Sequence, residues 1–272
     1  MDFEFKKAFG QNFLNDHNII ENIVKKSNIE KKDSLVIEIG PGAGVLTREL
    51  SKAADQVLCY EIDTRLEEIL DENLSGLDNI DIIFDDFLNR NIKEDLKKYK
   101  YKNLYLVANL PYYITTPIIE SLIHSKLDFK SITVMVQKEV GDRFSAEPGC
   151  KDYGSITAYL NYYFTIEKLF IVSRNCFIPK PNVDSIVIKL TKHNKYKVDN
   201  EFALFKLIKD AFRFKRKNIR NNLKTYDLKK IEKVLEKYNY DLTVRSECLP
   251  IEVFIDIANT IGDKILKLEA RM

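Results

Sequence analysis

Between about Ser34 and Leu190 short apolar runs alternate with stretches in which apolar residues recur every three or four positions. The runs Leu35–Ile39, Val57–Tyr60, Ile80–Phe84, Leu104–Ala108, Ile132–Val136, Thr165–Ile171 and Ser185–Leu190 read as strands. Val45–Ala53, Thr64–Asn73 and Thr116–His124 read as helices. This alternation predicts a doubly wound α/β sheet. The charged stretch Asn89–Asn103 is expected to be a surface connection carrying a helix. Two close prolines in Phe177-Ile178-Pro179-Lys180-Pro181-Asn182 predict a stiff extended loop without regular structure. After His193 the period becomes helical, through Phe202–Phe212, Leu228–Lys237 and Ile251–Ile261. The expected organisation is therefore an α/β domain over 1–192 and a small all-helical domain over 193–272, joined by a polar linker near His193–Asn200.

A chain of 272 residues, 45% hydrophobic and 31% charged, is long enough for one large core and a smaller one. The start of the chain lacks the apolar core of a signal peptide, and no apolar stretch approaches a membrane span, so a cytoplasmic protein without membrane contact is expected. Cys59, Cys150, Cys176 and Cys248 are scattered, as are His17, His124 and His193, which predicts neither a metal site nor a disulfide framework. The net charge of +2 conceals an asymmetry. Lys206–Lys237 carries about +8, leaving the remainder near −6. A basic segment beside an acidic body points to a polyanionic partner, with a solvated helix face as the plainer reading.

Leu35–Ile39 runs into Gly40-Pro41-Gly42-Ala43-Gly44 and then a helix. Closely spaced glycines there let the backbone turn tightly and approach a ligand, Gly40 and Gly42 foremost. The loop lacks the Lys-Ser/Thr of a phosphate loop and the glycine spacing of a dinucleotide fold. Glu38 precedes it, and Glu61, about 20 residues on, is placed to accept from two ribose hydroxyls. Asp86, past the third strand, is placed to receive an adenine amino group. A carboxylate-rich rim repels pyrophosphate, so S-adenosylmethionine, a nucleoside with a positive centre, fits better than NAD.

Asn109-Leu110-Pro111-Tyr112 ends the strand Leu104–Ala108, where open α/β sheets place their ligands. An amide beside an aromatic ring suits a flat base with an exocyclic amino group, extruded for chemistry. The Asn109 oxygen and the Leu110 carbonyl are expected to accept from that amino group. Tyr112 is expected to stack on one face of the base, and Phe177, read as exposed, to contact the other. Tyr113 is expected to pack beneath Tyr112. The plainer reading is a strand, a proline turn and a buried tyrosine.

With these segments assembled, the chain resembles the KsgA/RsmA family of small-subunit ribosomal RNA adenine dimethyltransferases. The resemblance rests on Gly10-Gln11-Asn12-Phe13-Leu14, Glu38–Gly44, Asn109–Tyr112, Phe177–Ser185, Phe214–Leu223 and Arg245-Ser246-Glu247-Cys248-Leu249, in that order along nearly the whole chain. It implies a Rossmann-like class I methyltransferase sheet with a helical C-terminal domain. It places Asn12, Leu14, Gly40, Glu61, Asp86 and Asn109 at the cofactor, with Asp86 preferred over Asp85 because Asp-Phe-Leu fits the family's Asp-x-Leu. It implies methylation of the N6 amino groups of two adjacent adenosines near the 3′ end of 16S rRNA, within the small subunit or its precursor, by a monomer. Arg213, Arg216, Lys217 and Arg220 are expected to grip RNA phosphates. An Erm-type methyltransferase acting on large-subunit rRNA shares the fold and cofactor and is the nearest alternative. A non-catalytic RNA-binding assembly factor is the alternative from another class, and a DNA adenine methyltransferase is disfavoured because no target-recognition insert is evident.

Overall fold

The apolar run that includes Leu35–Ile39 is completely buried, and it lies at the middle of a seven-stranded sheet. The computed structural model describes residues 13–14 and 16–269. In chain order the first elements are β1 (Phe13–Leu14), α1 (His17–Ser27), β2 (Ser34–Ile39), α2 (Val45–Ala53), β3 (Gln56–Glu61), α3 (Glu67–Asn73), β4 (Ile80–Phe84) and α4 (Ile92–Leu96). They are followed by β5 (Asn103–Asn109), α5 (Thr115–His124), β6 (Phe129–Gln137), α6 (Lys138–Phe144) and α7 (Ser155–Tyr163). Next come β7 (Phe164–Val172), β8 (Phe177–Ile178) and β9 (Ser185–Lys192), then α8 (Glu201–Ala211), α9 (Ile219–Asn222), α10 (Leu228–Glu236) and α11 (Ile251–Glu269).

The sheet order is β4-β3-β2-β5-β6-β9-β7, parallel from β4 to β6 and antiparallel between β6 and β9. Strand order therefore reverses between β2 and β5, whose register pairs Leu35 with Leu104 and Ile37 with Leu106. The crevice beyond their carboxyl ends is the ligand position of such a sheet. Ile20, Ile23, Leu46 and Leu50, from α1 and α2, share a core with Val36, Val57, Tyr105 and Val107 of the strands. Helix α1 begins where the Asp16 side chain accepts from Asn18 N at 3.0 Å, and ends at Asn28 in the left-handed region (φ 52°).

Two departures from the sequence reading bear on the site. Phe177-Ile178, expected to be irregular, forms β8 and pairs antiparallel with β1, Leu14 opposite Phe177 and Phe13 opposite Ile178. The second concerns the domains. One compact unit runs to Gly141 and resumes over Glu167–Lys192; the other comprises Asp142–Ile166 and the chain from His193 onward. The expected boundary after residue 192 coincides with one crossing point, but the segment 142–166, expected in the first domain, belongs to the second unit. There Tyr153, Ala158 and Tyr162 share a core with Leu204, Leu207, Ile231, Leu235 and Phe254. Helical periodicity identifies an apolar face but not which core it fills.

Candidate active site

At the carboxyl end of β2 the chain leaves the sheet through Gly40 and Gly42, both in the left-handed region (φ +71° and +60°). Gly40 N donates to Tyr60 O at 2.9 Å, which keeps the loop against β3. A Cβ on Gly42 would lie 2.6 Å from Cε1 of Phe13, so this position has room only for hydrogen. Gly42 N donates to Glu61 Oε2 at 3.2 Å, and Asp63 N donates to Oε1 at 2.9 Å, fixing both carboxylate oxygens. Asp63 is itself held by Arg65, whose Nε and Nη2 reach its two oxygens at 2.8 and 2.6 Å. Burial raises the Glu61 pKa, and these backbone N–H groups oppose the rise.

Glu38, 1% exposed, lines the same cavity from the penultimate position of β2. Cys59 Sγ donates to its Oε2 at 3.6 Å, and Thr47 on α2 lies beside it. Burial raises its pKa to about 8, with the Glu61 carboxylate adding to the rise. Asp85 and Asp86 line the cavity beyond β4. Asp85 is bound to Arg90 Nη1 at 3.2 Å, whereas Asp86 caps the turn Phe87–Asn89 by accepting from Leu88 N at 3.0 Å.

Asn109, the last residue of β5, lines this cavity together with Leu110, Pro111, Tyr112 and Tyr113. The segment is held in place: Leu110 N donates to Met135 O at 3.1 Å, and Thr115 Oγ1 to Pro111 O at 3.1 Å. Tyr112 is half-buried, and its hydroxyl shares a 2.7 Å hydrogen bond with Ser185 Oγ at the start of β9. Leu14 and Phe13 of β1 close the cavity from the amino-terminal side.

The structure thus brings together Leu14, Gly40, Gly42, Glu61, Asp86, Asn109, Leu110 and Tyr112 around one cavity. Asn12 lies outside the described residues. Two expectations are corrected. Phe177 is not exposed: at 2% it is packed with Val172, Val187 and Ile23, and it does not line the cavity. Pairing of β8 with β1 turns its ring inward and leaves Ile178 half exposed at 51%, so the residue next along the strand meets solvent. Tyr113 does not pack beneath Tyr112; it is 53% exposed at the rim, near Asp86 and Glu61. Arg213, Arg216, Lys217 and Arg220 are exposed in the helical unit, in and beside the loop between α8 and α9. The sequence reading missed Ile62, which follows Glu61 and lines the cavity, and Ser185, whose partnership with Tyr112 spans 73 positions and has no local signal.

The donor set tests the nature of a cofactor. The lining residues include the carboxylates Glu61, Asp85 and Asp86 but, among the described residues, no lysine or arginine. That composition disfavours pyrophosphate and suits a cationic nucleoside, with Ile62, Phe87 and Leu110 as apolar walls for a base. The site fits S-adenosylmethionine.

Comparison with known proteins agrees. The ribosomal RNA adenine dimethylase family matches residues 2–263. The chain is 43% identical to a ribosomal RNA small subunit methyltransferase A of Clostridium botulinum, over 96% of each chain. Among solved structures, a dimethyladenosine transferase from Plasmodium falciparum is 25% identical, with a TM-score of 0.79 over 93% of this chain and 98% of that one. The 23S rRNA methyltransferase ErmE is 27% identical, with a TM-score of 0.73 over 92% of this chain and 100% of that one. The cavity, the segment Asn109–Tyr112 beside it and these likenesses lead to one assignment: the chain belongs to the ribosomal RNA adenine dimethylase family, enzymes that use S-adenosylmethionine.

Proposed function

We propose that this protein transfers methyl groups from S-adenosylmethionine to the N6 amino groups of two adjacent adenosines in the 3′-terminal hairpin of 16S rRNA, giving N6,N6-dimethyladenosine. The observation that carries this is the convergence of Asn109-Leu110-Pro111-Tyr112 with Gly40–Gly42, Glu61 and Asp86 on one cavity. It acts as a cytoplasmic monomer on the small ribosomal subunit or its precursor. No helix among the described residues is long and apolar enough to cross a membrane.

S-adenosylmethionine supplies an electrophilic methyl group on a sulfonium leaving group. Glu61, oriented by Gly42 N and Asp63 N, would hold the ribose hydroxyls through its remaining lone pairs. Asp86 would accept from the adenine amino group of the cofactor, and Leu14 and Gly40 would add further cofactor contacts. The target adenine needs a different kind of help. Its amino lone pair is delocalised into the ring and is a poor nucleophile. Hydrogen bonds from that amino group to the Asn109 side-chain oxygen and the Leu110 carbonyl draw the nitrogen toward tetrahedral geometry and free the lone pair. Tyr112 stacks on the extruded base, its ring fixed by Ser185. No strong general base is required, because the proton leaves after the nitrogen has become cationic.

The test is methyl transfer from labelled cofactor to undermethylated small subunits, compared with large-subunit RNA, with the modified base mapped. Label at two adjacent small-subunit adenosines is expected. Label on large-subunit RNA would support the Erm-type reading, to which the likeness to ErmE gives some weight. Asn109→Ala is expected to lower turnover at least about 100-fold, the scale of losing a transition-state hydrogen-bonding group, while RNA affinity stays near that of the parent. Near-normal turnover in Asn109→Ala would overturn the mechanism.

A further inference from the structure

Between α8 and α9 the sequence places two phenylalanines two positions apart, and the fold treats them differently. Phe212 is packed, its ring 6.1 Å from that of Tyr153 and 5.9 Å from that of Phe254. Phe214 is turned out to water, 57% exposed. A single exposed apolar side chain is ordinary and decides nothing. Its surroundings are not ordinary. Arg213, Lys215, Arg216 and Lys217 are all exposed around it, and among the described residues no carboxylate forms an ion pair with any of them. The Arg213 guanidinium carbon lies 5.8 Å from the centre of the Phe214 ring, within reach of a cation–π contact.

The loop that presents this ring is also held in shape. The Asn222 side-chain amide donates to Ala211 O at 2.6 Å, and to Phe214 O and Lys217 O at 3.3 Å each. Lys217 N donates to Phe214 O at 2.9 Å, and Ile219 N to Val244 O at 2.9 Å. Carbonyls on both sides of the ring are thus tied to one buried-side amide, so the backbone under Phe214 loses little freedom when a partner docks. A flat ring on a tied backbone, inside a cationic cluster that no described carboxylate pairs, is an arrangement that captures single-stranded nucleic acid, in which the cations take phosphates and the ring takes a base.

We propose that Phe214 is a stacking platform for an unpaired nucleobase of the RNA, adding affinity that does not depend on salt to the phosphate grip of Arg213, Lys215, Arg216 and Lys217. This deepens, and rests on, the reading of the basic loop as an RNA contact.

The chain contains no tryptophan, so Phe214→Trp installs a sole tryptophan at the proposed site, which is excited selectively at the red edge where its 14 tyrosines do not absorb. With a single-stranded RNA of about 12 nucleotides as probe, its emission is expected to be quenched as RNA binds. Phe214→Ala is expected to bind that RNA between about 5-fold and 150-fold more weakly, with the slope of log affinity against log salt unchanged. Phe214→Leu, which keeps apolar bulk without a ring face, is expected to lose nearly as much. The charge reversal Arg216→Glu with Lys217→Glu is expected to flatten the salt slope instead. Quenching together with loss in both Phe214→Ala and Phe214→Leu supports stacking. Unchanged affinity in Phe214→Ala, or unchanged emission from Phe214→Trp at saturating RNA, overturns it while leaving the phosphate grip standing if the charge reversal still weakens binding. If the charge reversal has no effect either, the RNA reading of the loop falls with it.

Discussion

A carboxyl group that water does not reach keeps its proton beyond the usual range, and Glu38 is such a group, with a pKa raised to about 8 from 4.5. Between those values the folded chain holds a proton that the unfolded chain has released. Glu38 therefore makes stability fall as pH rises through that window. Glu38→Gln removes the contribution. In the absence of cofactor, the variant is expected to gain on the parent by a few kcal/mol between about pH 5 and pH 8, since each tenfold difference in proton affinity is about 1.4 kcal/mol. Urea unfolding at the two pH values measures this, and a stability difference independent of pH would show that Glu38 is not held neutral. Gly42 poses a steric question. Gly42→Ala combines a left-handed backbone with a Cβ 2.6 Å from Phe13, whereas Gly76→Ala has the same backbone strain (φ +79°) in open space. Calorimetric titration with S-adenosylmethionine is expected to show at least about tenfold weaker binding for Gly42→Ala, equivalent to about 1.4 kcal/mol, and unchanged binding for Gly76→Ala. The placement of Gly40, Gly42, Glu61 and Asp86 at the cavity was legible because it follows from position after a strand. The high pKa of Glu38 was not, since it depends on burial among Cys59, Thr47 and Glu61, which no local pattern reveals.

At the scale of elements, the parallel strands were legible because β2 and β5 are apolar on both faces and stop sharply at Gly40 and Asn109. Short elements were not. Two residues of β8 carry no period, and the prolines beside them suggest an irregular loop, yet pairing with Phe13-Leu14 overrides that local preference and buries Phe177. Exposure of a side chain in a short strand is decided by which partner strand arrives, a long-range fact. The same holds for β9, whose first residue is hydrogen-bonded to the segment Asn109–Tyr112. Ser185 is fully buried, and its hydroxyl has the Tyr112 hydroxyl as partner at 2.7 Å. Ser185→Ala and Tyr112→Phe are each expected to destabilise the protein by about 1 kcal/mol. Because they remove the same hydrogen bond, the double variant is expected to lose much less than the two single losses added together. Denaturant unfolding of the four proteins checks this, and additive losses would mean that the two hydroxyls are not coupled.

Over the whole molecule, the two cores do not follow the order of the chain. Sequence periodicity divides the molecule at residue 193, where strands give way to helices, and that change is real. What it does not reveal is that α7 and the turn before it, which lie between two sheet strands in sequence, contribute Tyr153, Ala158 and Tyr162 to the core of the helical unit. A helix amphipathic enough to be recognised is equally able to cover a sheet or join a bundle, and only the packing of α7 against α8 and α11 distinguishes the two. The consequence is testable by truncation. A chain ending at Lys192 retains Asp142–Ile166 but loses the helices those residues pack against. It is expected to expose an apolar face, bind a hydrophobic dye such as anilinonaphthalene sulfonate, and aggregate at concentrations where the full chain stays dispersed. Substituting Tyr153, Tyr162 and Tyr163 with Ser in the shortened chain is expected to restore dispersion. The same substitutions in the full chain are expected to destabilise it, because there the rings are packed with Phe205, Phe212 and the rest of the helical core. Opposite signs in the two contexts would establish that this segment belongs to the helical unit. Destabilisation in both, with a dispersed and dye-free shortened chain, would return it to the sheet unit.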